Sequence, residues 1–315
     1  MPPKTILITG CSSGGIGSAL ALALAKRGHF VFATARNPSK ISDALSSLSN
    51  VTILPLDVTS AESVAAAVKS VADSGQGGLD VLVNNAGMGE LRPILDWEVS
   101  EAQRVFDTNF WGVVRMVQAF SGMLVEKRGR VVNVSSVGGV VNVPWHGLFS
   151  LFFSLSVSFL FPLSFFFLLS FSFSAVQSMQ EGQLTVAAMY TSSKAALNAL
   201  SETLRLELQP FGVSVVTILA GTVSTQWDAN NGEMRLPANS LYLGIKNLIE
   251  KWASGEKKPV GTSPEQFAEL IINDVVGTRT SGKVWRGTMS GVMRFAVNWL
   301  PTFVLVSARP LNLDK

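Results

Sequence analysis

The chain has 315 residues, a formal charge of +3 and a single cysteine. That length holds one large α/β domain; the small, scattered charge excludes a nucleic-acid-binding face, and a lone cysteine excludes an intrachain disulfide. Hydrophobic residues make up 47% of the chain and charged residues 15%, with a mean hydropathy of +0.34, and the apolar stretches 148–174 and 289–306 carry much of that excess.

Met1-Pro2-Pro3-Lys4 leads directly into the apolar run Ile6-Leu7-Ile8, so a secretory signal is not expected and a buried parallel strand is. Thr9-Gly10-Cys11-Ser12-Ser13-Gly14-Gly15-Ile16-Gly17 follows, then an Ala- and Leu-rich helix from Ser18 to Lys26. Strand, glycine turn and helix form a phosphate-binding layout, because glycine lets the backbone approach a pyrophosphate and a helix start presents unpaired N–H groups. Phe30 to Ala35 reads as a second strand, Val51 to Leu56 as a third ending at Asp57, and Leu79 to Val83 as a fourth ending at Asn84-Asn85-Ala86-Gly87. Strands alternating with helices imply a doubly wound parallel sheet, with polar residues at the strand ends lining the dinucleotide crevice. Asp57 is therefore expected toward an adenine and Asn84 toward the middle of the cofactor; the alternative for each is an ordinary loop cap.

A carboxylate after the second strand would favour NAD, but this chain has Ala35-Arg36 there. The guanidinium fits the 2′-phosphate of NADP, with Ser12 and Ser13 as further donors; the alternative is a solvated loop arginine. Arg130 to Ser136 reads as a fifth strand ending in hydroxyls, followed by Val137-Gly138-Gly139, and Val213 to Leu219 as a sixth. The loop Ala220 to Thr225, with Val223 and Thr225, is expected to cover the nicotinamide end of the cofactor. Between these strands lies Tyr190-Thr191-Ser192-Ser193-Lys194. Four residues apart on a helix, the phenol and ammonium share a face, so the lysine is expected to favour the ionised tyrosine for proton exchange with an alcohol or carbonyl. Metal-ligand spacing is absent from this set, and no metal is expected.

Together these motifs resemble the short-chain dehydrogenase/reductase superfamily over roughly Lys4 to Gly147 and Met189 to Thr225. The resemblance implies a single Rossmann-like domain in which Tyr190 is the proton donor or acceptor and Lys194 lowers its pKa and binds the nicotinamide ribose. Ser136 would orient the substrate, and Asn109, in Thr108-Asn109-Phe110-Trp111-Gly112, would complete a proton relay. It also implies cofactor contacts at Gly10, Gly15, Ile16 and Gly17, and a homo-oligomer formed through the helix carrying Tyr190. Two departures stand out. The glycine loop is one residue longer than usual, and the usual Pro-Gly after the sixth strand reads Ala220-Gly221, which is expected to loosen that loop.

Leu148 to Ser174 contains ten Phe, eight Ser and seven Leu in 27 residues, with only Val157 and Pro162 besides. Its apolar length would suffice for a membrane span, yet basic and Trp/Tyr flanks are missing. Removing residues 148–188 restores the Ser-to-Tyr spacing usual in the resembled family and leaves Val143-Pro144-Trp145-His146-Gly147 joined to Met189-Tyr190. Phe, Ser and Leu also share pyrimidine-rich codons. Residues 148–188 are therefore expected to be a translated intron, the alternative being a real insertion that loops out.

Met289 to Val306 is a second apolar stretch, broken by Arg294, Asn298 and Pro301, and reads either as a membrane-surface segment or as a helix closing over the substrate pocket. With Val284-Trp285-Arg286-Gly287-Thr288-Met289 and Trp299-Leu300-Pro301, it resembles the C-terminal region of fungal NADPH-dependent 1-acyldihydroxyacetone-phosphate reductases. That resemblance implies an apolar ketone substrate, a site at the cytoplasmic face of the endoplasmic reticulum or at lipid droplets (cytosol as the alternative), and a substrate phosphate met by one of Lys246, Lys251, Lys257 and Lys258. The competing expectations are a hydroxysteroid or secondary-metabolite ketone reductase, and a membrane-associated binding protein or pseudoenzyme whose site never assembles.

Overall fold

The computed structural model describes residues 2–140, 187–226, 236–254, 260–278 and 281–299. In chain order these form β1 (Thr5–Ile8), α1 (Ile16–Ala25), β2 (Phe30–Ala35), α2 (Asp43–Ser46), β3 (Val51–Pro55), α3 (Ala61–Ala72), β4 (Val81–Asn84), α4 (Val99–Phe106), α5 (Gly112–Glu126) and β5 (Arg130–Ser136). Then follow α6 (Ala188–Leu208), β6 (Ser214–Ala220), α7 (Lys246–Ala253), α8 (Pro264–Val276), β7 (Gly282–Arg286) and α9 (Ser290–Trp299).

All seven strands pair in parallel in the order β3-β2-β1-β4-β5-β6-β7. Period-two alternation sends side chains to both faces, and both are apolar, as a sheet covered on two sides requires. Ile6, Ile8, Val132 and Ile218 pack on one face with Leu20 and Leu24 of α1 and Phe267 and Ile271 of α8. Leu7, Leu82, Val131 and Val215 pack on the other with Val64 of α3, Met116 and Phe120 of α5, and Leu197 of α6. Each fully buried Leu, Ile or Phe contributes roughly 1.5–3 kcal/mol to holding the layers together.

The winding reverses between β1 and β4, which opens the crevice at their carboxyl ends. β7 was not expected from sequence. Its five residues include Lys283 and Arg286, and it is fixed by tertiary partners: Arg286 Nε and Nη2 donate to Asp274 Oδ2 and Oδ1 at 2.7 and 2.9 Å. A small third cluster sits apart from both faces, with Ile249 of α7 fully buried against Leu91, Leu236, Tyr242, Ile245 and Leu248. Ser240 Oγ donates to Asp96 Oδ2 at 2.7 Å, so the segment from Leu236 to Ala253 and the loop after β4 form one lobe.

Apart from Ala187 and Ala188, the expected insertion lies outside the described residues. Of the apolar stretch 289–306, residues 290–299 form α9, and the remainder beyond Trp299 also lies outside. Among the described residues, no helix is long and apolar enough to cross a membrane.

Candidate active site

The glycine turn absorbs its extra residue through two left-handed glycines, Gly10 at φ +75° and Gly14 at φ +73°. Gly17 is required for space: a Cβ there would lie 2.5 Å from both the Gly10 carbonyl oxygen and Asn85 Nδ2. Asn85 Nδ2 donates to the carbonyls of Thr9 and Gly10 at 2.8 and 3.0 Å, while Thr9 Oγ1 accepts from the N–H groups of Asn85 and Ala86, each at 2.9 Å. These bonds tie the end of β1 to the end of β4 and leave the start of α1 facing the crevice. A diphosphate fits this cradle, since the helix start supplies N–H donors and the glycines keep Cβ atoms out of it, with the flexible end of the Gln226 side chain lying over Gly14. Thr9 and Asn85 were missed by sequence reasoning, although both flank the glycine and Asn-Asn motifs that signalled the site.

Arg36 is exposed just after β2, and no ion pair to it is found among the described residues. Ser13 is also exposed, its N–H donating to the Lys40 carbonyl at 2.8 Å; Ser12 is half-buried and its carbonyl accepts from Gly15 at 3.2 Å. Two other expected cofactor residues make contacts within the fold, the loop-cap alternative in the case of Asp57. Asn84 turns into the sheet, where Nδ2 donates to Asn133 Oδ1 at 2.9 Å, because the two residues are in register on β4 and β5. Asp57 caps its own loop, with Oδ1 accepting from the N–H and hydroxyl of Thr59 at 2.9 and 2.8 Å.

The loop after β6 is not loosened by Ala220. Gly221 N donates to the Arg286 carbonyl at 2.8 Å, Thr222 N to the Thr288 carbonyl at 3.1 Å, and Thr262 N to the Thr222 carbonyl at 3.0 Å. Val223 bridges to Thr262, Thr225 N donates to the Val223 carbonyl at 3.0 Å, and Gln226 reaches over Gly14. The end of β7 at Arg286, Thr288 just beyond it and Thr262 before α8 provide the backbone partners that replace the stiffness of a proline.

Ser136, Tyr190 and Lys194 converge at the end of β5. Ser136 and Tyr190 are hydrogen-bonded through their side chains, although 53 residues stand between them in the chain. The Ser136 hydroxyl also accepts from Gly138 N at 3.1 Å. Lys194 is buried, donates from Nζ to the Val134 carbonyl at 3.0 Å, and places Nζ 5.8 Å from the centre of the Tyr190 ring. Burial works against the expected acidification of Tyr190 by the lysine. Burial raises the tyrosine pKa, opposed more weakly by the Ser136 hydrogen bond, and burial lowers the lysine to about 8. A phenol that stays protonated is matched to donating a proton.

Asn109 lies fully buried in a π turn, Asp107–Trp111, between α4 and α5. Its Oδ1 accepts from Met88 N at 2.9 Å, and Nδ2 donates to the Met88 carbonyl at 2.8 Å and to Ser193 Oγ at 2.9 Å. Ser193 Oγ in turn donates to the Tyr190 carbonyl at 2.7 Å, so Asn109 holds the turn of α6 that carries the tyrosine. A Cβ on Gly87 would sit 3.3 Å from Asn109 Oδ1 and 3.6 Å from Lys194 Nζ, which places both polar atoms around one glycine at the crevice floor. Among the described residues no cluster could hold a metal ion.

This sheet, cradle and Ser-Tyr-Lys arrangement define an oxidoreductase of the short-chain dehydrogenase class. The chain belongs to that family, whose sequence pattern matches residues 4–150 and 175–236. It is similar to a short-chain dehydrogenase of Penicillium crustosum, 38% identical over 304 residues and 96% of each chain. It is also 33% identical over 305 residues to the NADPH-dependent 1-acyldihydroxyacetone phosphate reductase of Schizosaccharomyces pombe, covering 92% of this chain and 88% of that one. The fold is that of a short-chain dehydrogenase from Streptomyces avermitilis, with a TM-score of 0.67 at 23% identity over 93% and 91% of the two chains. A Burkholderia cenocepacia short-chain dehydrogenase solved in complex with NADP superposes with a TM-score of 0.64 at 20% identity over 95% of this chain and 94% of that one.

Proposed function

We propose that the protein reduces a ketone on an apolar substrate to a secondary alcohol with NADPH, and that the substrate is 1-acyldihydroxyacetone phosphate, giving 1-acylglycerol 3-phosphate. The observation that carries the chemistry is the convergence of Ser136, Tyr190 and Lys194, hydrogen-bonded and buried at the end of β5. The nicotinamide supplies the hydride for the carbonyl carbon when it is bound. Ser136 holds the carbonyl oxygen, and Tyr190 gives it a proton from its hydroxyl. Lys194, with donor capacity left beyond Val134, supports the tyrosine and binds the nicotinamide ribose. The phenolate is reprotonated from solvent through a water held over Gly87, between Lys194 Nζ and Asn109 Oδ1.

NADPH over NADH is supported by the exposed Arg36, by the NADP-bound structural neighbour and by the NADPH-dependent yeast relative. The acyl ketone phosphate is supported by that relative and by the apolar lobe around Ile249. Of the lysines proposed for its phosphate, Lys246 lies 3.6 Å from Glu250 in an exposed pair, and Lys257 and Lys258 lie outside the described residues. A second reading, a hydroxysteroid or secondary-metabolite ketone reductase, is favoured by the higher identity to the Penicillium crustosum short-chain dehydrogenase. The Ser136–Tyr190 hydrogen bond argues against a pseudoenzyme with an unassembled site.

Attachment to the endoplasmic reticulum or lipid droplets through a membrane surface belongs to the same proposal. Phe295 and Trp299, one turn apart on α9, are 60% and 75% exposed, and Arg294 is exposed beside them. A homo-oligomer through α6 is likewise proposed. Measuring NADPH oxidation with 1-acyldihydroxyacetone phosphate beside a panel of polycyclic ketones tests the substrate. Turnover of the acyl ketone phosphate alone is expected; preferential turnover of polycyclic ketones would hand the assignment to the second reading.

A further inference from the structure

The interface between α6 and the sheet is lined by an unusual amount of polar chemistry. Asn84, Asn133 and Thr217 lie in register across β4, β5 and β6. They face α6, because Asn133 Nδ2 donates to Ser201 Oγ at 2.8 Å. Asn84, Asn133 and Ser201 satisfy one another or the backbone, but three neighbours do not. Asn198 Nδ2 and Oδ1, Glu202 Oε1 and Thr217 Oγ1 are buried without a hydrogen-bond partner among the described residues. Asn198 and Glu202 are one turn apart on the same helix face, over the strand that carries Thr217. Two donors and three acceptor groups therefore share one seam between α6 and the sheet without pairing to one another. Leaving such groups dry is costly, and a water making two to four hydrogen bonds is the usual remedy.

We infer that ordered water occupies this seam, and that Asn198, through it, is a positioning residue for the catalytic serine and tyrosine. Asn198 lies one turn beyond Lys194 and two beyond Tyr190. Its Nδ2 is 2.8 Å from where a Cβ on Gly139 would be, against the turn that begins at Ser136. The amide thus sits between the helix carrying Tyr190 and the turn carrying Ser136. Water bound there sets the separation of the two; an apolar side chain there lets them close or slide.

The catalytic half of this inference rests on the reductase reading above, whereas the hydration half does not, and the tests separate them. Thr217→Val is isosteric and removes one hydroxyl distant from the reacting groups. A lower melting temperature is expected if water is bonded there, while a higher melting temperature, the result for a dry unpaired hydroxyl, would overturn the inference. Asn198→Leu is expected to lower kcat about tenfold or more and to move the alkaline limb of the pH profile, with NADPH affinity within about twofold of wild type. Asn198→Ser, which keeps a donor and an acceptor and leaves room for water, is expected to recover most of kcat. Unchanged kcat and pH profile in a folded Asn198→Leu protein would refute the positioning role. Should that variant fail to fold, a crystal structure of the wild-type protein decides, with ordered water within hydrogen-bond distance of Asn198 expected and a dry seam contradicting it.

Discussion

Replacing Gly139 by alanine should cripple catalysis while leaving the cofactor cradle whole. The added methyl would lie 2.6 Å from the Lys194 carbonyl carbon, 2.8 Å from Ala195 N and 2.8 Å from Asn198 Nδ2. Two of those three atoms are helix backbone and cannot rotate aside. Carbon–carbon contacts settle near ~3.5 Å, so α6 and the Ser136 turn must separate by about 0.9 Å. Overpacking of this kind costs roughly 1–3 kcal/mol of stability, and a misplacement near 1 Å at a reacting centre costs about 100-fold in rate, or roughly 2.7 kcal/mol of barrier. The glycine turn at Gly10 to Gly17 is untouched, and it is held by Asn85 and Thr9 rather than by α6. Stopped-flow NADPH binding by fluorescence, beside steady-state ketone reduction, separates the two effects. A near-normal NADPH Kd with kcat down by about two orders of magnitude is expected. Full kcat in Gly139→Ala would refute the claim that this glycine sets the Ser136–Tyr190 geometry.

Lys194 titrates near 8 in the folded protein against 10.5 for a free lysine, so the unfolded chain binds more protons between those values. Its contribution destabilises the fold by about 3 kcal/mol at neutral pH, a penalty that fades as pH rises from about 8 toward 10.5. Lys194→Met should therefore melt higher than wild type at pH 7 while losing activity, and wild-type ketone reduction should fall as pH rises through about 8. Calorimetry and a pH–rate profile check both, and a flat alkaline limb would contradict the role given to the lysine. Arg36→Glu should weaken NADPH binding about 10- to 100-fold and leave NADH binding equal or tighter, read as the ratio of the two Kd values. Sequencing cDNA across codons 147–189 should yield message lacking codons 148–188; message that retains them would make the Phe/Ser/Leu block part of the protein.

Much of the architecture was legible because it rests on short-range chemistry. Apolar runs such as Ile6-Leu7-Ile8 and Arg130 to Ser136 fall on the observed strands, and the Tyr190/Lys194 spacing falls on one helix. What the sequence hid depends on contacts between distant segments. β7 has only five residues with charges at two of them, and it forms because Arg286 meets the buried Asp274 and β6 lies alongside. The same strand stiffens the loop after Ala220, against the expectation from the missing proline. Asn84 looked like a cofactor residue because it ends a strand, yet its partner Asn133 lies 49 positions away and draws it into the sheet. The neighbouring Asn85 was in view and unassigned; only the approach of β1 shows that it braces the glycine turn. Burial decided the pKa of Tyr190, and burial cannot be read from a spacing of four.

The proposed role of Tyr190 as proton donor in a ketone reduction is tested most directly by single-turnover reduction by Tyr190→Phe with deuterium-labelled NADPH. Wild-type enzyme is expected to deliver the label to the carbinol carbon, while the variant binds NADPH with near-normal affinity and forms no labelled alcohol. Labelled alcohol formed by Tyr190→Phe at a rate near that of wild type would contradict the mechanism.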